Sequence, residues 1–271
     1  MVHHVFSLHK ITSADNLTFP LSIEDYQRYV FGDDKLAHRL GTDLAKAFIA
    51  HGPGNQLPTD DVTVAVLSGY VPTATHSLRN HFVAYLNRHL ISINARPALK
   101  IDVHGVEEDS QTRKGAQTSS IEAYHVDRKR LESRTIVVLA DIRMSQEQED
   151  RINQSLQNLR IDNQVIFAYL VSLDGPPNPV ALLPILSRVV SPSIKDAESI
   201  AQADQFTMNQ CYVQSTLGRD RVEFCQFVRR QDDYFVRLLL DYAIGGSFHK
   251  DELFEQNVNF LLWEIGVRES L

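Results

Sequence analysis

"TIVVLADIRMSQEQEDRINQSL" runs from Thr135 to Leu156. An apolar run, Ile136 to Leu139, ends close to an acid, Asp141. Ile152, Leu156 and Leu159 then recur at helical spacing. The pattern predicts a strand that hands a phosphate ligand to a helix N-terminus. Such a turn is normally glycine-rich, so that backbone amides can face the phosphate. Here it reads Met144, Ser145, Gln146, Glu147, Gln148, Glu149. It has no glycine, and two acids stand where an anion would sit.

The flanking sequence extends the alternation. "VFSLHKIT" predicts an edge strand. Ser22, with Asp25 three residues on, suits a capping box. Leu36, Leu40, Leu44, Ala47 and Phe48 then keep helical spacing until "HGPGN". "DVTVAVLSGY" predicts a strand, and Leu78, Phe82, Tyr85, Leu86 and Leu90 form one face of the helix after Pro72. "ALKIDVHGV" predicts a third strand. A polar stretch from Glu107 to Ile121 reads as a mobile loop. After the opening stretch, "QVIFAYLVSL" predicts another strand. This alternation implies an α/β fold, a parallel sheet with helices on its faces. Beyond Pro179 the pattern is mostly helical: "VALLPILSRVV", "IKDAESIAQAD", "DDYFVRLLLDYAI" and "DELFEQNVNFLLWEIG". The expected division is therefore a core over residues 1–178, with its N-terminal strand and helix, and a helical extension over 179–271 packed on that core.

Totals narrow the function. A length of 271 residues, 43% apolar and 23% charged, is that of an ordinary globular chain. A formal charge of −7 argues against broad electrostatic binding of nucleic acid. No apolar run approaches the ~20 residues a membrane helix needs. Cys211 and Cys225 make no disulfide framework and read as buried small hydrophobes in a reduced compartment. The expected location is the cytoplasm.

Ligands in open parallel sheets bind beyond the carboxyl ends of the strands. That rule selects "SGYVPT", the polar loop after the Ile101 strand, and "ADIRMSQEQE". Gly69 permits close backbone approach, and the helix opening near Pro72 adds a positive dipole end. Arg113 and Lys114, beside Gly115, could close over phosphates, although a solvated loop is the plainer reading. Histidine and cysteine spacing offers no metal site, and no G-x-S-x-G elbow or P-loop occurs.

The order of "SIEDYQRYVFGDD", "VAVLSGYVPTATHSLRNHFVAYLN", "AYHVDRKRLESRTIVVLADIRMS" and "FAYLVSLDGPPNP" resembles a type I phosphoribosyltransferase. It is most similar to the ComF-like phosphoribosyltransferases of tellurite-resistance and stress gene neighbourhoods. The resemblance covers most of the chain and is weakest after about Ser193. It implies a doubly wound parallel sheet with a helical C-terminal extension. It also implies phosphoribosyl pyrophosphate (PRPP) or a nucleoside 5′-monophosphate as ligand, with Mg2+ carried on the pyrophosphate.

In that family two adjacent acids hold the ribose hydroxyls, and a Thr- and Gly-rich loop holds the 5′-phosphate. Carried over, the second acid is Asp141, the apolar residue after it is Ile142, and the loop hydroxyl is Ser145. Ala140 stands in place of the first acid, and the loop glycine is absent. Arg143 could offset Glu147 and Glu149 if its side chain turned back to the site. Ser68, Gly69 and Tyr70 match the pyrophosphate loop, and the stretch from Ser110 to Ser120 matches the flexible loop. Two readings stay open: a pentosyl-transferring enzyme, or a non-catalytic nucleotide-sensing or protein-interaction module on the same fold. A homodimer or a partner protein is compatible with either.

Overall fold

A computed structural model describes residues 3–11, 19–51, 61–107, 121–125, 130–131, 134–143, 146–161, 163–173 and 192–270. In chain order its elements are β1 (His3–Ile11), α1 (Ile23–Val30), α2 (Asp34–His51), β2 (Val62–Ser68), α3 (Ala74–Ser92), β3 (Leu99–Glu107), β4 (Ile121–His125), β5 (Thr135–Arg143), α4 (Glu147–Asn158) and β6 (Val165–Leu173). There follow α5 (Ile194–Ala201), α6 (Gln210–Leu217), α7 (Arg221–Arg229), α8 (Asp233–Gly245), a 3-10 turn (Phe248–Lys250) and α9 (Glu255–Glu269).

The six strands lie in the order β1-β6-β5-β2-β3-β4. The first four pairings across the sheet are parallel, and β3 with β4 is antiparallel. From β2 the chain passes through α3 to β3 on one side. From β5 it passes through α4 to β6 on the other. Right-handed crossovers running in opposite directions put α3 and α4 on opposite faces, so the sheet is doubly wound. Side-chain packing agrees. Ile152 and Leu156 of α4 join Ala65, Ile101, Ile136, Val138, Val165 and Phe167 in one buried cluster. On the other face Phe48 of α2 packs edge-on between Phe6 of β1 and Phe82 of α3, at centroid distances of 5.6 and 5.5 Å. Gly41 lets α2 approach α3, because a methyl group there would sit 2.6 Å from the Leu78 carbonyl oxygen.

The chain forms two compact units. The first holds Met1–Pro20, His38–Ser68 and Leu78–Pro179, and so the sheet. The second holds Leu21–Ala37, Gly69–Ser77 and Val180–Leu271. The expected cut at 178/179 thus describes only one of the places where the chain changes unit. Within the second unit most helices begin on a side-chain cap. Ser193 and Asp196 form a reciprocal capping box, and Asn209, Asp220 and Asp232 cap α6, α7 and α8. Arg268 of α9 donates to the carbonyls of Val228 and Gln231 and to Asp233 and Glu264, which pins α9 to the α7–α8 junction.

The structure corrects the sequence reading in several places. The helix expected from Ser22 to Phe48 is two helices, α1 and α2. Gly32 breaks it at φ +103°, where an added methyl group would lie 2.3 Å from the Thr207 carbonyl oxygen. Asp33 then accepts from Leu36 N–H and pairs with Arg28. The capping contact at Ser22 does form, with Asp25 N–H as donor. Strand β4 and helices α6 and α7 were not anticipated. The cysteines lie on α6 and α7 with their buried neighbours on the other side, so Cys211 is exposed and Cys225 half-buried. "VALLPILSRVV" and the centre of the polar loop lie outside the described residues.

Candidate functional site at the strand carboxyl ends

β2 and β5 are parallel neighbours, with Val62 beside Thr135 and Ala65 beside Val138. Their onward connections diverge, to β3 and to β6. This is the topological switch point, where open α/β sheets form their ligand crevice. Three residues past the Ala65–Val138 pair on each strand stand Ser68 and Asp141. Both are half-buried and both belong to the first unit.

Side chains alternate along a strand, so consecutive residues at the end of β5 serve opposite faces. Ala140 is the partner of Tyr169 on β6 and packs its methyl against the cluster under α4. Asp141 falls on the opposite side, with Leu139. Its Oδ1 accepts the N–H of Ile142 at 2.9 Å.

Arg143 does not turn back toward the site. Its Nε and Nη2 donate to the two carboxylate oxygens of Glu149 at 2.5 and 3.0 Å, a bidentate pair. Glu149 is fully buried at the third position of α4. It also accepts from the Tyr169 hydroxyl at 2.8 Å. Burial, and next the Glu149 carboxylate, hold the Tyr169 phenol well above its usual range, so it remains a donor. Strand β5, the first turn of α4 and strand β6 are thereby joined through one carboxylate. Glu147 behaves differently, since it is exposed and faces Arg151 one turn on at 3.7 Å. The start of α4 therefore carries three acids, Glu147, Glu149 and Asp150, of which one is consumed internally.

The other expected residues divide by unit. Gly69 and Tyr70 belong to the second unit, so the triplet Ser68-Gly69-Tyr70 spans the point where the chain leaves the sheet. Among the described residues, a methyl group added at Gly69 would meet nothing within 4 Å. The Tyr70 ring lies over Gly245 of α8, so close that a side chain at 245 would overlap it. Ser145, Arg113 and Lys114 lie outside the described residues. Sequence reasoning missed the roles of Glu149 and Tyr169. The available signal was an acid at the third helical position, six residues after an arginine that ends a strand.

The strand order and the switch point define a doubly wound α/β protein with an acid at the end of β5. The chain belongs to the ComF-like phosphoribosyltransferase family, whose model matches residues 2–261. Among solved structures it is similar to the hypoxanthine-guanine phosphoribosyl transferase of L. donovani. That match has 17% identity, covers 57% of this chain and 76% of the other, and has a TM-score of 0.31. It is also similar to a hypoxanthine phosphoribosyltransferase of Staphylococcus aureus, with 14% identity, 60% and 79% coverage, and a TM-score of 0.28. No curated protein matches the chain at a significant level.

Proposed function

We propose that the chain binds PRPP or a nucleoside 5′-monophosphate at the carboxyl ends of β2 and β5, and that any reaction there is pentosyl transfer. The supporting observation is the placement of Ser68 and Asp141 at neighbouring strand ends, on the two sides of the switch point. Asp141 would accept hydrogen bonds from the ribose hydroxyls. Ser68, with Gly69 beside it, would receive the pyrophosphate. In transfer, the bond between the anomeric carbon and pyrophosphate breaks as a bond to the acceptor forms, and the electron pair leaves with pyrophosphate. Positioning and charge stabilisation would carry such a step.

A single carboxylate beside a pyrophosphate is a donor set that suits Mg2+, which keeps several waters and takes most other oxygens from substrate. Asp141 would be the residue to reach it, and the ion would supply neutralisation of the leaving pyrophosphate. Arg143 enters this reading as a positioning residue. It holds the end of β5 against α4 through Glu149.

Calorimetric titration of PRPP with Mg2+ tests the reading. The wild-type protein should bind, and Asp141→Ala should weaken binding roughly 10- to 100-fold, the loss of a hydrogen bond to a charged group worth about 1.5–3 kcal/mol. No binding to wild type would remove the ligand assignment. Binding that survives Asp141→Ala would move the site elsewhere.

A further inference from the structure

The α2–α3 face of the first unit carries a groove lined by two cations. Lys46, Ile49 and Ala50 of α2 and Tyr85, Arg88 and His89 of α3 line a groove of about 580 Å³, within the size range of small-ligand sites. Ile49 and Ala50 supply its apolar part. Two cations converge on one ring: the Arg88 guanidinium lies 4.9 Å and the Lys46 ammonium 5.8 Å from the Tyr85 centroid. Both approaches are within cation–π range. Each cation is attracted to the ring, and both line the groove, so an anion in it would meet both charges. Asp43, 3.6 Å from Lys46 and half-exposed like it, is a loose local counter-charge that a multivalent anion can outcompete. Among the described residues no acid lines the groove itself, although the chain as a whole carries −7.

The topology separates this groove from the strand-end site. α3 starts after the carboxyl end of β2 and returns the chain to the amino end of β3, so Tyr85, Arg88 and His89 lie in its returning half. Likewise Lys46 to Ala50 lie near the end of α2, which leads toward the amino end of β2. The groove therefore sits toward the amino ends of the strands, away from Asp141.

We infer that this groove is a second binding site, for a ligand bearing a di- or triphosphate chain that Lys46 and Arg88 contact. Inorganic polyphosphate and a nucleoside triphosphate share that chemistry. They differ in whether a ring is left to contact Tyr85 and the apolar floor.

The test is calorimetry at low ionic strength with tripolyphosphate and with ATP, on wild type, Asp141→Ala, Lys46→Glu/Arg88→Glu and Tyr85→Leu. Circular dichroism melts check that each variant is folded. The expected result is saturable binding of both probes to wild type and Asp141→Ala, weakened at least tenfold in the Lys46→Glu/Arg88→Glu variant. Equal affinities for the two probes would show that the site reads the phosphate chain alone. Tighter ATP binding, lost in Tyr85→Leu, would show that it reads a nucleotide. Absence of binding at millimolar probe, or binding indifferent to Lys46→Glu/Arg88→Glu, overturns the inference. Binding lost only in Asp141→Ala also overturns it and assigns the anion to the strand-end site.

Discussion

The ends of β2 and β5 answer the same topological demand in opposite ways. β2 ends in Ser68 and passes to Gly69, around whose Cα a methyl group would meet no described atom within 4 Å. β5 ends in Ala140, packed on the core, and Arg143, locked to a buried carboxylate. One end leaves open space, among the described residues, beside a glycine Cα, and the other satisfies its charged side chain internally. The helix after β5 gains cohesion from Glu149. An incoming phosphate gains nothing from Arg143 unless a buried ion pair is broken. A switch point can thus keep its geometry while half of its ligand-facing chemistry is spent on the fold.

The largest expected effect comes from opening the closed end. Arg143→Ala leaves Glu149 buried without its partner and should destabilise the protein by about 3–5 kcal/mol in chemical denaturation. The double replacement Arg143→Met with Glu149→Leu should recover most of that loss, because no charge is then stranded. A small effect of Arg143→Ala would show that the pair is solvated and that β5 ends as openly as β2.

Ala140→Asp should cost about 1–3 kcal/mol. Its carboxylate would share a face with Tyr169 and the buried Glu149. If the substitution also tightens PRPP binding, the added acid has reached the ligand despite that cost. Unchanged affinity would show that the face is committed to packing.

Alkaline titration probes the same cluster without mutation. The folded-state pKa of Tyr169 is raised above its ordinary value of 10.0. Its contribution to stability is therefore fully present below about pH 10 and is lost as pH rises further. Phenolate absorbance should show Tyr169, together with Tyr212, whose phenol burial also raises, ionising only as the protein unfolds. Tyr169→Phe should remove part of that alkaline sensitivity.

The smallest effect is expected at the open end. Gly69→Ala should change stability by less than about 0.5 kcal/mol, as for an exposed position where the added methyl group meets no described atom. It should nonetheless weaken PRPP binding if the Gly69 backbone lies against the ligand. Affinity unchanged along with stability would show that this turn is merely open.

Much of the sheet was legible because its signals are local. Ile136 to Leu139 and Val165 to Val171 are apolar runs bounded by changes of period, and the α3 residues Leu78, Phe82, Leu86 and Leu90 repeat at helical spacing and are all buried. Asp141 could be placed from the same run. The break at Gly32 was masked by continuing helical spacing on both sides, since its reason is the Thr207 carbonyl, far away in sequence. The short β4 exists by pairing with β3, and its own five residues carry no strong period. The partner of Arg143 was equally hidden, for two nearby glutamates, Glu147 and Glu149, look alike in the sequence. One faces solvent and the other is buried.

By itself, then, the sequence determined the alternation of strands and helices, the family resemblance and the acid at the end of β5, because periodicity and motif spacing are properties of contiguous residues. The tertiary structure decided which strands are neighbours, which glutamate Arg143 holds, and that Lys46, Arg88 and Tyr85 meet in one groove. Those outcomes depend on burial and on charge meeting charge across long separations, where the cost of a stranded ion selects the partner.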